Sequence, residues 1–77
     1  MSVKPKKRSL TLKGHRTSVS LEDRFWDEFC KIAYRKKISV NELAYQLDST
    51  RALNSVSLAS LIRNLVLDDL LNRLENT

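Results

Sequence analysis

One cysteine, one histidine, one glycine and one proline are all that 77 residues hold of those types, and each shortage closes off a class of protein. Cys30 alone cannot form a disulfide within the chain, and Cys30 with His15 fall short of the four ligands of a structural zinc ion. On a helical segment among apolar neighbours, Cys30 is expected to be an inert buried thiol. Gly14 by itself supplies no phosphate-cradling loop, and no serine or cysteine is set beside a base, so neither catalysis nor a cofactor is expected. Glu22, Asp23, Asp27 and Glu28 stand at a helix start, where the helix dipole accounts for them. No apolar run approaches the ~18 to 20 residues that cross a bilayer, and the basic beginning lacks the apolar stretch of a secretory signal. A cytoplasmic protein is expected. A chain this short buries only ~60 to 65% of its unfolded surface, which leaves a marginal core and favours association with a second copy.

What the sequence has is positive charge in one place. Residues 1–20 carry Lys4, Lys6, Lys7, Arg8, Lys13 and Arg16 and no acid, whereas the remaining 57 carry eight basic and nine acidic side chains. The net charge of +5 is therefore owed to the N-terminal quarter, where a polyanion would be met. A solvated basic tail is the blander reading of the same block.

Met1 to Lys7, polar and interrupted by Pro5, is expected to be a flexible arm ahead of a single domain over 8–77. Arg16-Thr17-Ser18-Val19-Ser20-Leu21 alternates, so an extended chain sets Thr17, Val19 and Leu21 on one face and Arg16, Ser18 and Ser20 on the other. The first face suits a core. The second carries hydroxyls and a guanidinium, side chains that hydrogen-bond base edges in the major groove. Residues 8–13 alternate as well, with Leu10 and Leu12 opposite Ser9, Thr11 and Lys13 in direction, and Gly14-His15 suits a tight turn between the two strands. In that pairing Leu10 faces Val19 and Leu12 faces Thr17. A single strand needs a partner for its backbone, and the same strand of a second chain is the expected one for 16–21.

Helical spacing of Phe25, Trp26, Phe29, Ile32 and Ala33 predicts a helix over about 23–36. Ser39 with Glu42 three residues on forms a capping-box pattern, flanked by Ile38 and Leu43 as a hydrophobic staple, and predicts a second helix over about 40–48. Its N-terminal amides suit an anion. A polar stretch follows, with a turn near Asn54-Ser55, and Ser57 caps a third helix to about Leu74. In it Leu58, Leu61, Ile62 and Leu65 share one face while Leu67, Leu70, Leu71 and Leu74 lie nearly opposite. Either the helix leaves its own core halfway and packs on another chain, which is preferred, or it bends.

Strand, helix, a connection with a capping serine and a further helix resemble the ribbon-helix-helix family of DNA-binding proteins over residues 16–48. Lys7-Arg8-Ser9, Gly14 through Ser18, Leu21-Glu22 and Phe25-Trp26 are also similar to a small bacterial branch of that fold. The resemblance implies a mainly α fold with a short N-terminal β-ribbon, in an intertwined dimer with an extra helix. It implies base contacts by Arg16, Ser18 and Ser20, and phosphate contacts by Lys4, Lys6, Lys7, Arg8, Lys13 and the helix start Ser39, Val40 and Asn41. Thr17, Val19, Leu21, Phe25, Phe29, Leu67, Leu70 and Leu71 would form the dimer seam. Ser57 through Arg63 is similar to the start of the family's second helix too, so either 39–48 or 57–74 could fill that role.

Two functions follow as expectations. The first is sequence-specific binding of double-stranded DNA by a homodimer, for transcriptional control on the nucleoid. The second is a protein-interaction module, such as an antitoxin or adaptor, using the C-terminal helix. No metal, cofactor or membrane is expected in either.

Overall fold

In the computed structural model, which describes residues 4–50 and 56–76, two strands precede three helices. The strands are β1 (Lys6–Leu12) and β2 (His15–Leu21), and the helices are α1 (Asp23–Lys36), α2 (Val40–Thr50) and α3 (Leu58–Glu75). The expected class, mainly helical behind an N-terminal β-ribbon, is the one found. The arm is shorter than expected, since Lys6 and Lys7 already belong to β1; Met1 to Val3 and the turn expected near Asn54-Ser55 lie outside the described residues.

β1 and β2 form an antiparallel hairpin whose register pairs Leu12 with His15, Leu10 with Thr17, Arg8 with Val19 and Lys6 with Leu21. The turn is Lys13-Gly14, both at positive φ (50° and 84°), rather than Gly14-His15. Two positive φ angles give the twist that suits a two-residue hairpin, with the glycine at the second position and Lys13 tolerating the left-handed region at the first. Moving the turn by one residue slides the pairing by two. Leu10 therefore faces Thr17 instead of Val19, yet both sets of side chains keep their faces, because the side-chain period is also two.

α1 begins directly after β2, so its apolar stripe is delivered under the hairpin's inner face. Phe29, Ile32 and Ala33 are buried, and Trp26 packs with its ring 6.1 Å from that of Phe29. Lys37 ends the helix in the left-handed conformation (φ 60°), its amide donating to the Tyr34 carbonyl and that of Ile38 to the Ala33 carbonyl, which satisfies carbonyls the helix leaves over. The break lets α2 turn back against β1. Ser39 Oγ accepts from the Glu42 amide at 3.0 Å, as the capping pattern predicts, and Ser57 Oγ does the same for Ser60 at 3.1 Å at the start of α3.

One core joins all five elements: Leu10, Val19 and Leu21 from the hairpin, Phe29, Ile32 and Ala33 from α1, Leu43 and Ala44 from α2, and Leu58, Ile62 and Val66 from α3. α3 supplies that core only from its first half. Past Val66 the leucines 67, 70, 71 and 74 are exposed, between 38% and 70%, while Asp69 and Arg73 face α1. The helix thus leaves the core halfway, as its two faces predict. Among the described residues no helix is long and apolar enough to cross a membrane.

Candidate nucleic-acid interface

The hairpin has two chemically distinct faces. The pairings put Lys7, Ser9 and Thr11 of β1 beside Ser20, Ser18 and Arg16 of β2 on the outer one. All six are exposed, and none is apolar. The inner face carries Leu10, Val19 and Leu21, sealed at 2%, 6% and 0% exposure. Arg16, Ser18 and Ser20 therefore stand on one accessible surface, as their alternation predicts. Ser9 and Thr11 share it and are absent from the set read from the sequence, although their alternation with Leu10 and Leu12 is the signal that marks them.

Which cations remain free to meet a polyanion is decided by where the acids are. Lys4, Lys7, Arg16, Arg24, Lys36 and Lys37 meet no carboxylate among the described residues. Arg8 is different. It lies on the inner parity, stacks 5.5 Å over the Trp26 ring, pairs with Asp23 and reaches the Leu21 carbonyl. Its side chain is only 18% exposed, so it fastens the hairpin to α1 rather than facing solvent. Lys6 pairs with Asp23 at 3.1 Å, and the two cations, Arg8 before Lys6, hold the Asp23 carboxyl below its ordinary value. Lys13 leans back over the Tyr45 ring at 4.9 Å and stands 4.0 Å from Glu42.

The residues expected at a dimer seam divide into two groups. Val19, Leu21 and Phe29 are enclosed by the chain's own core, and Phe25 is half-buried beneath the Arg63 guanidinium, 5.8 Å away. Thr17 is exposed despite its inward parity, as are Leu67, Leu70 and Leu71. Cys30 is half-buried; burial first, then the Asp27 charge, pushes its thiol up and makes it less reactive.

The two edges of the hairpin also differ. Counted from the pair flanking the turn, an antiparallel ladder turns the backbone groups of Thr11, Ser9 and Lys7 out on one side and those of Arg16, Ser18 and Ser20 out on the other. On the β1 side the Thr11 amide donates to Asn41 Oδ1 at 3.0 Å, which ties the edge to the first turn of α2. On the β2 side Arg63 donates to the Ser20 carbonyl at 3.3 Å, and among the described residues nothing meets the backbone groups of Arg16 or Ser18. That open edge borders a groove of about 740 Å³ whose walls include His15, Thr17, Val19, Tyr45, Leu58 and Ala59.

A ribbon-helix-helix domain model matches residues 5–70, which takes in the hairpin, α1, α2 and most of α3. The chain belongs to the ribbon-helix-helix domain family. Members of this family are generally DNA-binding transcription regulators that usually form dimers, on a fold that is not enzymatic. No curated protein and no solved structure matches the chain. The match takes in all of α2 and α3 as far as Leu70, so both helices contribute to the family's domain. Among the described residues no group of three or more His, Cys, Asp or Glu is gathered as a metal site would need.

Proposed function

We propose that this chain binds double-stranded DNA sequence-specifically as a homodimer and regulates transcription, in the bacterial cytoplasm and on the nucleoid. One observation carries the reading: in a ribbon-helix-helix domain, the exposed face of the hairpin holds Arg16, Ser18 and Ser20, with the Arg16 guanidinium meeting no carboxylate among the described residues. In the proposed complex Arg16 donates two hydrogen bonds to guanine O6 and N7, and the serines make shorter, less selective contacts. Lys4, Lys7 and the amides at the start of α2, around Ser39, Val40 and Asn41, take phosphates. Lys6 and Lys13 add charge nearby; Arg8 serves the fold.

The second copy adds its own β2 to the open β2 edge, in an antiparallel ribbon about a twofold. The exposed leucines of α3 support the same association. Arg63, on the side of α3 that carries this stripe, reaches the β2 edge, so a strand added there brings two stripes to one side of the assembly. Selection from a random duplex library tests the proposal. A pseudo-palindromic consensus is expected, and Arg16→Ala should relax one base pair per half-site at a cost of about 1 to 3 kcal/mol. Equal loss on specific and random duplexes would remove Arg16 from the base-reading role.

A protein partner seated on Leu67, Leu70, Leu71 and Leu74 is the second reading, favoured by their exposure in the single chain. Sedimentation of the isolated protein separates the two. A soluble dimer supports the homodimer seam, and a monomer or a leucine-dependent aggregate supports a partner of another kind.

A further inference from the structure

Resting on the ribbon reading above, we infer that β1 is a phosphate clamp: Ser9 and Thr11, with Lys7, grip the sugar-phosphate walls of the groove while β2 alone enters it.

Widths decide between the two strands. Neighbouring strands lie about 4.8 Å apart, so a twofold passing between two β2 strands leaves each β2 about 2.4 Å and each β1 about 7 Å from the axis. The major groove is about 12 Å wide and admits a two-stranded ribbon. With the strands running along the groove, β1 falls beyond the half-width of about 6 Å, above the phosphates and not above the base edges.

The side chains agree with that position. The outer face of β1 offers one ammonium and two hydroxyls, donors that suit phosphate oxygens, and lacks the arginine, asparagine or glutamine that reads a purine with two bonds. Arg16, the one guanidinium on this face, stands on β2. Beyond β1 the donors continue. Asn41 holds the β1 edge through the Thr11 amide, and α2 begins there. Ser39 occupies the amides of Glu42 and Leu43 through its hydroxyl and carbonyl, which leaves those of Val40 and Asn41 at the open helix end. The hydroxyls and ammonium of β1 thus come first outward from the twofold, and the amides at the start of α2 lie beside its far edge.

The test is a Ser9→Ala/Thr11→Val double variant, with Thr11→Ser as the control that keeps the hydroxyl. Both positions are exposed, and thermal melting verifies the fold of each variant. Affinity is measured for the duplex selected by the parent protein and for a random duplex, and the selection is repeated with the variant. The expected result is a loss of about thirtyfold or more on both duplexes with the consensus unchanged, since four hydroxyls leave the dimer, and parental binding by Thr11→Ser. Neutral methylphosphonates at the flanking phosphates should weaken the parent more than the double variant. A changed consensus would show β1 reading bases, as it would if the hairpin of one chain filled the groove alone; parental affinity in the double variant would show no contact. Either result overturns the clamp. A parent protein that binds no duplex sinks the ribbon reading instead, so the two failures are told apart.

Discussion

Among the described residues, Lys7 and Arg16 on the outer face of the hairpin meet no carboxylate, whereas along the seam between α1 and α3 Arg35, Arg63 and Arg73 are each matched to one. Arg63 grips Glu22 with two nitrogens at 3.1 and 3.2 Å, Arg35 holds Asp69 at 2.7 Å, and Arg73 bridges Glu28 and Asp69 at 2.9 and 3.2 Å. The acids respond. Asp69 is held below its ordinary value by Arg35 and then Arg73, Glu28 by Lys31 and then Arg73, and Glu22 by its own backbone amide and then Arg63. The two regions use the same cations for opposite purposes. Acids placed in the helices, and none before residue 22, neutralise one set and leave the other for an outside anion.

The largest blow to this comparison removes the platform beneath both regions. Phe29 is fully buried where the hairpin and helices meet, and Phe29→Ala should cost about 3 to 5 kcal/mol, read by denaturant unfolding. Such a loss in so short a chain should abolish binding and fold together. Next, Arg63→Ala and Arg16→Ala should separate what Phe29→Ala joins. Arg63→Ala should lower the melting temperature of the free protein, since it frees Glu22, the Ser20 carbonyl and the Phe25 face at once. Arg16→Ala should leave that temperature unchanged and weaken only binding. A melting temperature that moves equally in both would erase the distinction.

Acid offers a finer cut. Glu22, Asp23, Glu28 and Asp69 have lowered folded values, so their ionised forms favour the folded chain above the ordinary carboxylate values of 4.5 and 3.8. That stabilisation is lost as the pH falls through the lowered values. Melting temperature should therefore decline below about pH 4, less steeply in high salt because Asp23 is exposed and the other three are only partly buried. Glu28→Gln should flatten the decline. Smallest of all, Lys7→Ala should weaken every duplex alike and reduce the salt slope by about two, one for each copy in the dimer.

Much of the fold and of the hairpin's outer face is legible in the sequence. Alternation in 16–21 gave both faces of β2 because only a period of two fits those residues, and the serine caps at 39 and 57 marked two helix starts through purely local hydrogen bonds. The turn lies one residue before the expected Gly14-His15, since Lys13-Gly14 also supplies a glycine and both turns preserve the faces. Charge alone marks Arg8 for a phosphate, whereas it shares the parity of Leu10 and Leu12 and pairs with Asp23. Its stacking on Trp26 was not legible, nor was the Arg63–Glu22 pair, because each depends on packing between elements far apart in the chain.

Asn41 has one more effect. By accepting from the Thr11 amide at the start of α2 it occupies one outward donor of β1 and makes that edge a poorer acceptor of a further strand than the β2 edge. Bare sheet margins on both sides invite endless stacking into fibres, and natural proteins blunt them. In the proposed pairing through β2, the strand that arrives carries its own Asn41 contact on its far side, which disfavours the addition of a third copy.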